Sequence, residues 1–175
     1  KGYHSFDDVM SKGLRALSSE EFETVVESTG AVVLDARHNS EFAKGFIPQS
    51  INIGLKGDFA PWVGAMIVDV NLPIVLVVDN GAEEEAITRL SRVGFDNVLE
   101  SWANSGKDVD SVKRITPEQF ASEVVVGKSL IVDIRKESEY EAEHVAEAYN
   151  KPLAYINSWI KDVNPGEHFY MHCAG

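Results

Sequence analysis

Apolar positions along this chain fall into short runs that switch between continuous and helical spacing. After Gly30 the run Ala31-Val32-Val33-Leu34 is unbroken and ends in Asp35-Ala36-Arg37. That is the pattern of a strand buried on both faces, as in a parallel sheet. Pro73 opens Ile74-Val75-Leu76-Val77-Val78, the most strongly apolar run, which ends at Asp79-Asn80-Gly81 and reads as the central strand. Shorter strands are expected at 51–53 and 97–99. Helical spacing fills the intervals. Ser18 and Glu21 form a capping box ahead of Phe22, Val25 and Val26. Residues 59–70 form a short helix with Trp62 and Met66 inward, and residues 82–93 place Ala86, Ile87, Leu90 and Val93 on one face. Gly94 stops the latter helix. Strands alternating with helices predict an α/β fold with a central parallel sheet flanked by helices, joined by right-handed crossovers.

The same order recurs downstream. Thr116-Pro117-Glu118-Gln119 is a second capping box, with proline at the first helical position, followed by Phe120 and Val124. Leu130-Ile131-Val132 then runs into Asp133-Ile134-Arg135. Subtracting 98 places Phe120 on Phe22, Asp133 on Asp35, Arg135 on Arg37, Ser138 on Ser40, Glu139 on Glu41 and Asn150 on Asn52. One gapless offset with these matches implies a tandem duplication. A last apolar run, Phe169-Tyr170-Met171-His172, leads into Cys173-Ala174-Gly175 and would present a sulfur at the C-terminal edge of a sheet, where open α/β folds hold ligands. Residues 1–16 read as a linker or the tail of a preceding domain, 17–104 as a first domain and 105–175 as a second. The second is expected to be incomplete, lacking the loop and helix that should follow Cys173. Residues 103–111, polar with Gly106, read as the interdomain connection.

Composition narrows the function. A formal charge of −12 with no clustered Lys or Arg argues against nucleic acid and anionic membranes as partners. No run of 18 apolar residues exists, and KGYHSFDDVM lacks the charged-then-apolar design of a secretory signal. A single cysteine cannot form an internal disulfide, so a reducing, cytoplasmic setting is expected. Five dispersed histidines offer no metal site, and no cofactor is expected.

The two segments LDARHNSEFAKGFIPQSINI and VDIRKESEYEAEHVAEAYN share a strand, Asp-x-Arg-x-x-x-Glu and a later Asn, and the second is followed by an apolar strand ending in cysteine. This arrangement resembles the rhodanese (sulfurtransferase) family. The first segment keeps Gly45, Ile47 and Pro48 of the family turn, with Phe46 where histidine is usual; the second keeps His144 but not the glycine and proline. From Leu17 onward the resemblance implies two rhodanese-like three-layer domains. The tail before Leu17 resembles the linker of proteins that fuse a metallo-β-lactamase-fold hydrolase or persulfide dioxygenase to such a pair.

The chemistry implied by the resemblance centres on Cys173. Its thiolate would take the outer sulfur of thiosulfate or a persulfide and pass it to a thiol or cyanide acceptor. Ala174 and Gly175 would begin the loop whose N–H groups hold the anion, with Arg135 facing the substrate. A chain ending there is expected to be inactive by itself. Aligning Gly81 with Gly175 puts Asp79 opposite Cys173, so Asp79, Asn80 and Gly81 read as a degenerate site. Aspartate cannot carry sulfane sulfur, and Glu83-Glu84-Glu85 would repel anions. Asp35, Arg37 and Glu41, with Asp133, Arg135 and Glu139, read as ion-paired supports rather than acid–base catalysts. His172 is expected to face away from the sulfur, because neighbouring strand residues alternate faces. Trp62, Trp102 and Trp159 read as packing residues. Two other readings stand beside this one: a regulatory or docking module, and a phosphatase of the related Cdc25 type, whose loop after the cysteine is one residue longer.

Overall fold

The computed structural model describes residues 5–102, 110–125, 128–164 and 166–174. The chain divides into two compact units, Lys1–Arg114 and Ile115–Gly175. Among the described residues no helix is long and apolar enough to cross a membrane.

The first unit runs α1 (Phe6–Gly13), α2 (Ser19–Thr29), β1 (Val32–Asp35), α3 (Asn39–Lys44), β2 (Ile51–Asn52), α4 (Phe59–Met66), β3 (Ile74–Val77), α5 (Glu83–Ser91) and β4 (Val98–Trp102). Its four strands pair in parallel in the order β2-β1-β3-β4. Helices cover both faces, which is why β1 and β3 need unbroken apolar runs. One face packs Leu34, Ile74 and Leu76 against Val9 of α1, Phe59 and Val63 of α4, and Ile87 of α5. The other packs Val33, Val75 and Val77 against Leu17 and Phe22.

Several expectations change here. Residues 1–16 do not behave as a linker over α1: Ser5 caps that helix by accepting from the Asp8 N–H, and Val9 is buried in the core. Arg15 then ties the segment to the sheet, bonding Glu21 at 3.0 Å and Glu100 at 2.8 Å. In α4 the buried stripe is Phe59, Val63 and the following Ile67, spaced by four, while Trp62 and Met66 lie half-buried at its margin. Val93 is exposed. Gly94 takes φ +88°, so that Phe95 N–H reaches Leu90 O and Gly94 N–H reaches Ser91 O, each at 3.1 Å. This Schellman turn delivers Phe95 to the core slot expected for Val93. Of the expected connection, 103–109 lie outside the described residues. Asp110 instead pairs with Phe46, and Val112 N–H bonds Ala43 O, so the boundary falls after Arg114.

The second unit runs α6 (Pro117–Glu123), β5 (Leu130–Asp133), α7 (Glu137–Ala142), β6 (Tyr149–Asn150), α8 (Ile156–Trp159) and β7 (Phe169–His172). Its strands pair in parallel in the order β6-β5-β7. Trp159 packs inside, donating its Nε1–H to Pro152 O at 3.0 Å. Among the described residues β7 is hydrogen-bonded only along β5, and its Met171 is 49% exposed where the equivalent Leu76 of β3 is fully buried.

Candidate functional site

Each unit closes the C-terminal end of its first strand with one frame. In the first unit Asp35 is buried and accepts from the Arg37 backbone N–H (3.0 Å), from Nε (3.0 and 3.1 Å) and from Nη2 (2.5 Å). Arg37 Nη2 also donates to Gly45 O at 2.9 Å, and Asn52 Nδ2 bridges Asp35 O and Arg37 O at 2.9 and 3.0 Å. The second unit repeats this 98 residues later. Asp133 accepts from the Arg135 backbone N–H (2.9 Å), from Nε (3.0 Å to both oxygens) and from Nη2 (2.6 Å). Arg135 Nη2 reaches Glu143 O at 2.7 Å, and Asn150 Nδ2 bridges Asp133 O and Arg135 O at 3.1 and 3.0 Å. The correspondence extends to unfavourable backbone: Gln49 and Glu147, neither of them glycine, both sit at positive φ, 67° and 65°. It also explains Phe46. Phe42 stacks on Phe46 with centroids 4.5 Å apart, as Tyr140 stacks on His144 at 3.9 Å, so a phenyl ring fills in the first turn the place the imidazole takes in the second.

Hydrogen bonds from Arg135 are the main cause that holds the Asp133 carboxyl below its ordinary range, and those to Asp35 raise the Arg37 guanidinium above its own. With their guanidiniums bound to a carboxylate and a carbonyl, Arg37 and Arg135 act as braces. Arg135 does not line the pocket beside Cys173. Glu41 pairs with Lys44 at 2.6 Å, and Glu139 accepts the Lys136 N–H at 3.3 Å; neither joins the frame.

The strand ladders correct the alignment of the two units. In the first, Asp35 lies beside Val77; in the second, Asp133 lies beside His172. The last ladder bonds agree, Ala36 N–H to Val77 O and Ile134 N–H to His172 O. Counterparts on β3 and β7 therefore differ by 95, from 172 to 77. The first-unit counterpart of Cys173 is Val78, which is buried, and Asp79 corresponds to Ala174. Matching Gly81 to Gly175 missed this by one residue, because it assumed loops of equal length. Cys173 and Ala174 are exposed just after β7; Gly175 lies outside the described residues. Asp79 and Asn80 are exposed, and Gly81 takes φ +88°.

Cys173 borders a cavity of about 320 Å³, walled chiefly by Ile115, Phe120, Ile131, Val145, Tyr170 and His172. Their counterparts Leu17, Phe22, Val33, Ile47, Val75 and Val77 form one packed apolar cluster in the first unit, to which Leu99 of β4 also contributes. The cavity is thus the core face of the second sheet at the place where β4 closes the first. Its lining is mostly apolar, with Thr116, His172 and Cys173 the polar members. His172 and Cys173 both border it; their counterparts Val77 and Val78 belong to the clusters on opposite faces of the first sheet. His172 Nε2 lies 3.4 Å from Asp133 Oδ2. Sequence reasoning missed this pair, because only the β5–β7 register brings the two residues together.

Residues 18–101, from the cap of α2 into β4, match the family model described as Rhodanese-like domain. No curated protein matches the chain. Among solved structures, the chain is similar to an EanB variant in complex with hercynine, at 13% identity over 86% of this chain and 42% of EanB, with a TM-score of 0.48. It is also similar to the Alr3790 protein from Anabaena sp., at 13% identity over 59% of this chain and 97% of that one, TM-score 0.43. A third is thiosulfate sulfurtransferase from Pseudomonas aeruginosa, at 17% identity over 86% of this chain and 36% of that enzyme, TM-score 0.40. The chain spans less than half the length of the EanB and Pseudomonas proteins.

Proposed function

We propose that this chain, with its rhodanese-like domain over residues 18–101, is a sulfurtransferase module of two related units in which the second carries the sulfur. The observation that carries this reading is the placement of Cys173, exposed directly after β7 at the end of the sheet braced by Asp133 and Arg135. The repeated frame, with its hydrogen bonds and its paired positive-φ residues, supports a duplication. In the first unit the counterpart is Val78, so that unit has no sulfur to offer and serves as scaffold or docking surface.

The reaction is two displacements at sulfur. The Cys173 thiolate attacks the outer sulfur of thiosulfate, the S–S bond of the donor breaks, and sulfite leaves with the electron pair. Cyanide or a thiol then attacks the outer sulfur of the Cys173 persulfide and releases the thiolate unchanged. A persulfide donor follows the same course with a thiol as leaving group. The intact protein would carry this reaction in its second unit. On the resemblance drawn from its sequence, it would set the pair behind a metallo-β-lactamase-fold domain in the cytoplasm.

Incubating the intact protein with thiosulfate and cyanide should produce thiocyanate, and Cys173→Ser should abolish it. Thiocyanate formation unchanged by that substitution would refute the assignment.

A further inference from the structure

Where the two units differ most in chemistry is the residue before the sulfur. Both brace the strand end with the same aspartate, arginine and asparagine. In the first, the residue beside Asp35 is Val77, fully buried among apolar neighbours. In the second it is His172, with Nε2 shut off from solvent, 3.4 Å from Asp133 Oδ2 and without an aligned hydrogen bond. Asp133 is itself fully buried, and Arg135 keeps it ionised at neutral pH. A ring nitrogen presenting its lone pair to that carboxylate would be repelled, whereas an N–H is attracted. The nearby pocket walls from other elements, Thr116 and Phe120 of the α6 segment and Val145, add no charge, and Tyr170 on β7 meets Phe120 edge-on at 5.4 Å. Asp133 therefore selects which nitrogen holds the hydrogen.

We infer that His172 is a positioning residue for Cys173: Nε2 carries the ring hydrogen toward Asp133, and this contact holds the end of β7 from which the sulfur emerges. The backbone supports the same clamp, since Ile134 N–H bonds His172 O at 3.1 Å. Without this contact the strand end would fray and the sulfur would lose its fixed position. The inference rests on the sulfur-carrier reading for its purpose, but not for its geometry.

Two measurements on the full chain test it. Long-range ¹H–¹⁵N spectra of the neutral ring should show the hydrogen on Nε2; an Nδ1–H tautomer would overturn the inference. Alkylation of Cys173 by iodoacetamide near neutral pH should slow about tenfold in His172→Val, which installs the first unit's residue, and stay within about twofold in His172→Gln, whose amide can still donate to Asp133. Equal losses in both variants, or no loss in either, would equally overturn it. Trp159 fluorescence identifies a variant that fails to fold, in which case the tautomer of the unaltered chain decides. If Cys173→Ser leaves thiocyanate formation intact while Nε2 carries the hydrogen, the sulfur reading falls and the clamp survives.

Discussion

Asp133→Asn probes the frame at its most buried point. The carboxylate is fully buried and accepts four bonds from Arg135, from the backbone N–H, Nε and Nη2. Asparagine keeps the shape and one acceptor oxygen, so the backbone bond can persist while the new NH₂ is turned against guanidinium donors. Hydrogen bonds to charged groups contribute about 1.5–3 kcal/mol each. The Arg135 side chain, 19% exposed, recovers part of its loss through water, so the expected cost to the second unit is about 3 kcal/mol rather than the sum of the bonds. The sign with pH follows from the depressed carboxyl of Asp133. Its stabilising charge is fully present above the unfolded value of about 4 and is lost as pH falls through the lower native value. Asparagine does not titrate. The gap between parent and variant should therefore be widest at neutral pH and close in acid. Urea unfolding read by Trp159, with Trp62 and Trp102 replaced by Phe, measures it in the second unit. A gap that stays constant into acid, or a loss below about 1 kcal/mol, would refute a role for the ionised carboxylate.

Two further outcomes are expected. Gly94→Ala should destabilise the first unit by about 1 kcal/mol through backbone strain alone, since φ is +88° and an added Cβ meets nothing within 4 Å; an unchanged urea midpoint would show that the Schellman turn does not need glycine. In a Cys173→Ser background, the buried thiol of Val78→Cys should alkylate at least about tenfold more slowly than the exposed thiol of Asp79→Cys. Equal rates would contradict the burial that the ladder register gives position 78.

Much of the site's scaffold was legible in local pattern. Both capping boxes form as read, Ser18 with Glu21 and Thr116 with Gln119, because a cap is settled within four residues. The unbroken runs before Asp35 and Asp133 became buried parallel strands, and the offset of 98 survives in the hydrogen bonds of the frame. Less legible were the faces of helices. Trp62 is the larger side chain, yet the stripe of Phe59, Val63 and Ile67 is the one that is buried in the core. Segment 1–16 read as a linker or tail because α1 buries only Val9 and Gly13, too few positions for an apolar stripe.

By itself the chain's order of residues determined the alternation of strands and helices, the recurrence of the Asp-x-Arg strand end at an offset of 98, and a cysteine directly after the last strand. These follow from side-chain period, caps and a gapless repeat, all of which act over neighbouring residues. Tertiary structure alone decided that Val78, not Asp79, is the counterpart of Cys173, and that His172 meets Asp133. Both depend on how β7 and β3 register against strands some forty residues earlier, and parallel pairing is set by hydrogen bonds between segments that no local pattern links.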